Sequence, residues 1–165
     1  QAIAEGLLQQ GIELVIVGSG EAQYENFFNE LCARNPGRVG VYIGFNAKLA
    51  QQIYAGADIF LMPSRSEPCG LAQMVSCRYG TIPVIRETGG LKDSIHDSGD
   101  GYGNGFTFAN YNAHELYEAC WRAKEGYWQK DGWPVLVKRA MECDFSWSNS
   151  AKSYEGLYNE VVNLW

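Results

Sequence analysis

The sequence predicts an α/β protein built on a doubly wound, open sheet of parallel strands. Short apolar runs recur along the first half of the chain, and a segment with helical periodicity follows each of them. Glycine or proline residues stand at most of the boundaries between these segments. Strands that alternate with helices are typical of parallel pairing, because a helix has to return the chain to the start of the next strand. Helices are therefore expected on both faces of the sheet.

The predicted elements follow one another in regular order. Residues 1–10 have the pattern of a helix that stops at Gly11. In the first half, strands are expected at 12–17, 39–43, 58–62 and 82–85, with helices between them at 21–34, 47–56 and 70–79. In the second half, a loop rich in glycine and aspartate precedes an edge strand at 105–108. Three helices are then expected, at about 113–128, 132–142 and 147–163.

One strand of the expected sheet is unaccounted for. A nucleotide-binding sheet of this kind normally begins with a central strand, and here nothing precedes the first helix. That strand would lie between the strands at 12–17 and 58–62. An empty position would leave backbone groups unpaired on both neighbours, at a cost of about 1–3 kcal/mol for each buried group. We expect these two strands to pair directly, or another chain or a segment outside this sequence to fill the position.

Composition and charge exclude several classes of protein. With 165 residues, 46% of them hydrophobic, the chain can form the core of one ordinary domain. A net charge of −6 and a pI of about 4.9 argue against a nucleic-acid-binding surface, which needs basic side chains to neutralise phosphates. No apolar run approaches the roughly 20 residues that span a membrane.

The five cysteines point to a reducing environment. Their number is odd and no CxxC pair is present, so neither a disulfide framework nor a zinc site is expected. We predict reduced thiols, a cytoplasmic location and no bound metal. The chain also begins inside a helical pattern without an initiator methionine, and we expect it to be a fragment of a longer protein.

The segment from Pro63 to Leu71 carries the clearest chemical signal. It follows a predicted strand and opens a predicted helix, and ligands of open parallel sheets bind beyond the carboxyl ends of such strands. The helix start at Gly70 offers free N–H groups and a positive dipole end, which suit a pyrophosphate, and it has no Cβ to obstruct a ligand. Glu67 would repel such an anion, but it can accept hydrogen bonds from sugar hydroxyls and stabilise an oxocarbenium-like transition state.

A second glycine-containing turn, from Arg86 to Leu91, follows the next predicted strand. Thr88, Gly89 and Gly90 allow the backbone to come close to a ligand. Two such turns side by side would form the floor of a cleft. Taken alone, a pair of glycines more often serves only to make a turn.

Several segments together resemble the signature of bacterial glycogen synthases and plant starch synthases. They are Ala57–Leu71, Tyr79–Arg86, Thr88–Asp93 and Asp144–Trp147, with the helix around 154–158 after the last of them. The order and spacing of the family are kept from about residue 7 to the end of the chain. Arg86–Ser94 and the loop 103–106 are more similar to the bacterial enzymes than to the plant enzymes.

The resemblance implies a GT-B fold, in which residues 1–165 would form the Rossmann-like C-terminal domain that binds the nucleotide-sugar donor. It implies a retaining transfer of glucose from ADP-glucose to the growing end of an α-1,4-glucan, with no cofactor. The acceptor-binding N-terminal domain, and the arginine and lysine that clamp the diphosphate, would lie outside this sequence. The isolated chain is therefore expected to be inactive.

Carried over residue by residue, the resemblance implies a catalytic carboxylate and a set of donor contacts. Glu67 matches the carboxylate beside the donor glucose. The positions that match donor contacts are Phe45, Cys69, Gly70, Leu71, Thr88, Gly89 and Gly90. Phe45 stands where the family has a tyrosine against the adenine, so a stacking ring is kept without its hydroxyl. Ala72 stands where the family often has threonine, so a hydroxyl near the phosphates is lost.

Two other functions stay open at this stage. A GT-B glycosyltransferase that uses a UDP- or GDP-sugar would share the Glu-Pro-x-Gly-Leu pattern, although not the segment Asp144–Trp147. A non-catalytic carbohydrate-binding module would bind glucan and no nucleotide. Nucleotide titration separates this module from the two enzymes, and base selectivity separates the two enzymes from each other.

The other conspicuous side chains have structural interpretations. His96 and His114 are isolated, and surface or capping roles are favoured for both over catalysis. Arg65 and Lys92 can reach a phosphate in the predicted cleft, or be solvated or paired with carboxylates. Helical spacing predicts that one face of the last helix is packed, and its residues are Trp147, Tyr154, Leu157, Tyr158 and Val161. Trp128 and Trp133 flank a helix–helix turn and are expected to pack there.

Overall fold

The computed structural model describes residues 1–164. Its strands are β1 (Leu14–Gly18), β2 (Val39–Ile43), β3 (Ile59–Met62), β4 (Ile82–Arg86) and β5 (Phe106–Phe108). Its helices are α1 (Ala4–Gln9), α2 (Ala22–Arg34), α3 (Ala47–Gly56), α4 (Ala72–Tyr79), α5 (Gly90–Ser94), α6 (Ala113–Tyr127), α7 (Gly132–Glu142) and α8 (Trp147–Val162). The predicted elements are all present, and α5, which begins inside the second glycine turn, is an addition to them.

Every strand pairing in the described chain is parallel, which confirms the predicted α/β class. β1 pairs with β2, and β3, β4 and β5 form a second sheet in that order. Val84 of β4 is paired with Leu61 of β3 on one side and with Phe106 of β5 on the other. The carboxyl ends of these three strands therefore lie along one edge of the sheet.

The position between β1 and β3 is not closed by direct pairing of these two strands. Within residues 1–164, β1 is paired only with β2, and β3 only with β4. The first of the expected arrangements is therefore wrong, and no strand of the described chain fills the position instead. Val15 of β1 is 60% exposed, although side chains of parallel sheets are normally buried on both faces. β1 and β3 each keep one edge available to a further parallel strand.

The main hydrophobic core surrounds β4. Ile82, Val84 and Ile85 are fully buried, and side chains of α4, α5, α6 and α7 pack around them. A smaller cluster around Leu31 and Val39 joins α1, α2 and β2. Each buried aliphatic side chain contributes about 1.5–3 kcal/mol relative to an exposed one. β4 is thus firmly held, and the loops at its carboxyl end start from a rigid base.

The predicted packed face of the last helix is wrong. Its five side chains are exposed by 48% to 86%: Trp147, Tyr154, Leu157, Tyr158 and Val161. No described residue of α8 is buried. Helical spacing places these side chains on one face, but it does not supply a surface to cover them. Trp128 is likewise 69% exposed, whereas Trp133 packs against the main core as predicted.

Three further findings concern membrane spans, metal sites and disulfides. None of the described helices is long and apolar enough to cross a membrane. Within residues 1–164, no group of three or more His, Cys, Asp or Glu side chains is placed to hold a metal ion. All five cysteines are free thiols.

Candidate functional site

The candidate site is formed by two loops that follow neighbouring strands. One loop, residues 63–71, follows β3, and the other, residues 87–90, follows β4. β3 and β4 pair in parallel with Met62 opposite Ile85, so both loops leave the same edge of the sheet. The two turns lie side by side, as the sequence predicts.

The backbones of the two loops are in contact. The N–H of Gly90 donates a hydrogen bond to the carbonyl oxygen of Pro68 over 3.2 Å. A Cβ atom on Gly89 would overlap the carbonyl oxygen of Glu67, and one on Gly90 would overlap that of Cys69. Gly89 also has a φ of +47°, which favours glycine. The glycines of the second loop are thus required for the approach of the first loop, whereas sequence reasoning attributed them to ligand contact.

The first loop ends at the N-terminus of α4. The helix begins at Ala72, two residues after the predicted start, and Gly70 precedes it with a φ of +74°. Leu71 is the N-cap residue, and its side chain is 69% exposed and forms no capping hydrogen bond. The first N–H groups of α4 are therefore left to solvent or to a bound anion, which the helix dipole favours.

Gln73 holds the end of the first loop, and sequence reasoning missed it. Its side chain is fully buried, and Nε2 donates to the carbonyl oxygen of Gly70 at 2.9 Å and to Oγ of Ser94 at 3.0 Å. Oε1 has no hydrogen-bond partner among the described residues. The one signal in the sequence is the polar side chain three residues after Gly70, because the first turn of a helix can reach back to the preceding loop.

Arg86 connects three segments at the carboxyl end of β4. Its Nη1 donates to the carbonyl oxygen of Arg65 at 2.8 Å, and its Nε donates to that of Ala109 at 3.1 Å. Its Cζ lies 5.7 Å from the centre of the Tyr111 ring. Its own carbonyl oxygen accepts a hydrogen bond of 2.8 Å from the N–H of Thr88. Sequence reasoning identified the turn at Arg86 but not these side-chain contacts, for which no sequence signal exists.

A partly buried polar network ties Glu87, the first residue of the second loop, to β5. Oγ1 of Thr107 donates to Oε1 of Glu87 at 2.6 Å. Asp97 accepts hydrogen bonds of 2.8 Å from the N–H of Thr107 and from Arg122. Burial raises the pKa of Asp97, but the hydrogen bonds from Thr107 and Arg122 outweigh it and leave the pKa below its ordinary value. Oε1 of Glu87 is thus engaged with β5.

Glu67 is half-buried, and none of the hydrogen bonds among residues 1–164 involves its carboxylate. Its backbone lies against Gly89, so its position depends on the second loop. Cys69 is exposed, and its Sγ lies 3.7 Å from the carbonyl oxygen of Gly70. A carboxylate without internal donors keeps its full capacity to accept hydrogen bonds from hydroxyl groups of a ligand.

Phe45 is the one predicted site residue that follows a strand of the other sheet. It follows β2, which belongs to the other sheet, and its side chain is 93% exposed. Gly44 precedes it with a φ of +133°, and its N–H donates to the carbonyl oxygen of Gly18 at 2.8 Å. The structure therefore brings together the predicted site residues of 67–71 and 88–90, whereas the contact of Phe45 with the donor stays a prediction.

The remaining candidates are on the surface. His96 is exposed, and His114 is exposed with its Nε2 3.3 Å from Oε1 of Glu118, as expected for surface histidines. Arg65 and Lys92 are also exposed, and neither forms an ion pair within the described part of the chain. Both cations are accordingly available to an anion near the loops.

Comparison with known proteins bears out the resemblance. The chain is 49% identical over 158 residues to a glycogen synthase of Bacillus cereus strain B4264, an alignment that covers 94% of this chain and 33% of the relative. It is 48% identical over 158 residues to a glycogen synthase of Geobacillus thermodenitrificans, with the same coverage. The chain thus spans about a third of the length of the curated relatives it matches.

Solved structures share the fold. The catalytic domain of starch synthase IV from Arabidopsis thaliana, bound to ADP and acarbose, matches with a TM-score of 0.83 and 35% identity, over 98% of this chain and 34% of that chain. The Anabaena protein HepE, in complex with UDP-glucose, matches with a TM-score of 0.68 and 21% identity, over 86% of this chain and 39% of that chain, which shows a common fold alone. The predicted Rossmann-like fold of GT-B glycosyltransferases is confirmed.

A family model places the chain more directly. The model of glycosyl transferases group 1 matches residues 1–127, which include β1 to β5 and both loops of the candidate site. This stretch is well over half of the 165 residues. The chain therefore belongs to the glycosyl transferases group 1 family.

Proposed function

We propose that this chain is the donor-binding part of a retaining α-1,4-glucosyltransferase, which moves glucose from ADP-glucose to the non-reducing end of an α-1,4-glucan. The observation that carries the proposal is the contact between residues 67–71 and 88–90 at the carboxyl ends of β3 and β4. An unpaired carboxylate and an uncapped helix N-terminus meet there. The relatives named glycogen synthase, and a starch synthase whose structure contains ADP, support the choice of reaction and donor.

The diphosphate of the donor is assigned to the N-terminus of α4. N–H groups of the first turn and the positive end of the helix dipole stabilise an anion without a charged side chain. Gly70 and Leu71 lead into this turn, and Thr88 and Gly89 line the neighbouring loop. Ala72 brings no hydroxyl to this position, so the contacts from α4 to the phosphates are made by the backbone.

Glu67 is assigned to the donor glucose. Its carboxylate accepts hydrogen bonds from sugar hydroxyls, and its negative charge stabilises the positive charge that develops at the anomeric carbon. It stands on the loop that ends at α4, so it lies within a few residues of the proposed diphosphate site. Phe45 is assigned to the nucleobase, against which its exposed ring stacks once the donor joins the two sheets.

Two further parts of the enzyme are proposed to come from outside residues 1–165. One is the N-terminal domain that presents the glucan acceptor. The other is a parallel strand that pairs with the free edges of β1 and β3. The length of the relatives supports this proposal, because the chain covers only 33% of the first of them. The free cysteines are in keeping with an enzyme that works in the cytoplasm.

The experiment that tests this function measures nucleotide binding and glucosyl transfer separately. The full-length enzyme is titrated with ADP, UDP and GDP by calorimetry, and it is assayed with ADP-glucose and a maltooligosaccharide. We expect ADP to bind most tightly and the oligosaccharide to be extended by α-1,4 linkages. Tighter binding of UDP or GDP would identify another donor. Glucan binding without any nucleotide affinity would replace the enzyme with a carbohydrate-binding module.

A further inference from the structure

The segment before Glu67 has few bonds to the rest of the molecule. Between Pro63 and Glu67, the contact from Arg86 to the carbonyl oxygen of Arg65 is the only hydrogen bond that residues 1–164 provide. The next residue along the chain that forms a hydrogen bond is Pro68, which follows Glu67. Arg86 therefore restrains the loop on the side of Glu67 where no other hydrogen bond within residues 1–164 holds it.

Arg86 is itself a fixed point. Its main chain lies in β4 opposite Phe108 of β5, above the main core. Its Nε is bonded to Ala109, whose loop is held by the Glu115 carboxylate: this carboxylate accepts from the N–H groups of Ala109 at 3.1 Å and Asn110 at 2.7 Å. The guanidinium thus spans the loop held by Glu115 on one side and the Glu67 loop on the other.

Arg86 reaches both loops of the site by different groups. Its side chain binds the first loop at Arg65, and its carbonyl oxygen binds the second loop at the N–H of Thr88. A guanidinium is suited to the first task, because its nitrogens donate in fixed, divergent directions and so serve two carbonyl oxygens at once. A lysine ammonium at the end of a flexible chain cannot hold both acceptors in the same geometry.

We infer that Arg86 is a positioning residue for Glu67, which sets the carboxylate against the donor sugar by tying Arg65 to the loop at Ala109. The inference rests on the proposed function, since it requires that Glu67 acts on the sugar. Positioning affects turnover more than affinity, because a displacement of about 1 Å at a reacting group can cost about 100-fold in rate. In this arrangement Nε and Nη1 of the guanidinium are each bonded to a backbone carbonyl oxygen.

The test compares Arg86→Lys and Arg86→Ala with Arg38→Ala in the full-length enzyme. Arg38 is a matched control, because its guanidinium also donates to two backbone carbonyl oxygens, those of Leu8 at 2.8 Å and Ile12 at 3.1 Å, at the amino end of β2. For both Arg86 variants we expect kcat to fall roughly 10- to 100-fold, with the Kd for ADP and the KM for ADP-glucose changed by no more than about threefold. Arg38→Ala is expected to keep the kcat of the parent enzyme.

Each outcome decides the inference. A parental kcat in Arg86→Lys would show that a positive charge suffices. A loss of ADP affinity as large as the loss of kcat would show a direct phosphate contact. Either result overturns the inference that Arg86 positions Glu67. An equal fall of kcat in Arg38→Ala would assign the effect to general destabilisation. Glu67→Gln is assayed in parallel. A fully active Glu67→Gln enzyme overturns the proposed function as well. If Glu67→Gln is inactive while both Arg86 variants are active, only the inference about Arg86 is overturned. If Arg86→Ala fails to fold by circular dichroism, Arg86→Lys carries the test.

Discussion

The N–H of Gly90 donates a hydrogen bond to the carbonyl oxygen of Pro68, and this bond fastens the loop after β4 to the loop after β3. A Cβ atom on Gly90 would overlap the carbonyl oxygen of Cys69, the next residue along the first loop. The two loops can therefore meet only because position 90 has no side chain. The candidate site depends on this contact, since it determines how Glu67 stands relative to Thr88.

Gly90→Ala should separate the loops. The new Cβ would overlap backbone atoms of Cys69, so relief requires a shift of the loop. We expect a loss of about 1–3 kcal/mol in the free energy of unfolding. ADP affinity should fall at the same time. Gly56→Ala is the control: Gly56 ends α3, and a Cβ there meets nothing within 4 Å. It should be neutral or stabilise by about 0.4–1 kcal/mol. Urea unfolding and ADP titration measure both effects, and a Gly90→Ala protein indistinguishable from its parent would contradict the role of this contact.

The adjacency of these loops was predictable from the sequence for a physical reason. Apolar runs at 58–62 and 82–85 mark buried strands, and consecutive strands joined by a helix pair in parallel with their carboxyl ends together. The loop after each run then has to lie at the same edge. The family assignment followed from motifs in this same part of the chain, and the comparisons confirm it.

Other features could not be predicted, because they depend on which groups the fold brings into reach. The carbonyl oxygens bound by Gln73 and Arg86 belong to loops whose course no periodicity describes. The spacing of Trp147 and its neighbours predicts one apolar face of a helix, but it does not identify which surface covers that face. Phe45 remains a predicted contact, since its distance from the loops depends on how the sheet of β1 and β2 approaches the sheet of β3 to β5.

Replacing Glu67 should separate catalysis from binding. Glu67→Gln keeps the size of the side chain but removes the charge that we propose stabilises an oxocarbenium-like transition state. In the full-length enzyme we expect kcat to fall by about 100-fold or more, with the Kd for ADP changed little because ADP lacks the donor glucose. Glu118→Gln, on the exposed surface of α6, is the control. Steady-state kinetics with ADP-glucose measure the effect, and an unchanged kcat would remove Glu67 from the mechanism.

Asp97 should make stability depend on pH in the acid range. Its folded-state pKa lies below the ordinary value of 3.8 because hydrogen bonds from Thr107 and Arg122 outweigh its burial. The stabilisation is therefore fully present above pH 3.8 and is lost as the pH falls through that value toward the lower folded-state pKa. The Asp97 side chain is 32% exposed and that of Arg122 39%, so screening by solvent limits the contribution to about 1 kcal/mol.

Asp97→Asn tests this dependence. At neutral pH the variant should lose about 1 kcal/mol, and its stability should change less than that of the parent below about pH 4. Asp93→Asn is the control, because Asp93 is exposed and forms no ion pair within residues 1–164. Urea unfolding at neutral and acid pH provides the measurement. Parallel pH profiles for parent and Asp97→Asn would show that this carboxylate does not support β5.

Phe45→Ala should weaken nucleotide binding without weakening the fold. The ring is 93% exposed, so its removal costs no core packing. Stacking of an aromatic side chain on a base is worth about 1–3 kcal/mol, so the Kd for ADP should rise by roughly 5- to 150-fold. Phe45→Tyr should retain the affinity, because the stacking face is kept. Tyr102→Ala, which removes another ring that is 85% exposed, should change neither property. Equal Kd values for Phe45→Ala and its parent would take Phe45 out of the donor site.

The exposed face of α8 should cause residues 1–165 to self-associate when they are produced alone. Its aromatic side chains form a contiguous apolar surface, and the rings of Tyr154 and Tyr158 lie 6.4 Å apart along it. Burying such a patch against another surface lowers the free energy because water is excluded from it, and a second copy is the surface most available in a pure preparation.

Replacing Trp147, Tyr154 and Tyr158 with glutamine removes the apolar area while keeping side chains that tolerate a helix. Light scattering after gel filtration should show larger particles for the parent as its concentration rises, and a monomer for the triple variant with an unchanged circular dichroism spectrum. Tyr102→Gln, on the loop before β5, should behave as the parent does. If the triple variant associates as strongly as the parent, the contact lies elsewhere and the free edges of β1 and β3 become the surfaces to alter next.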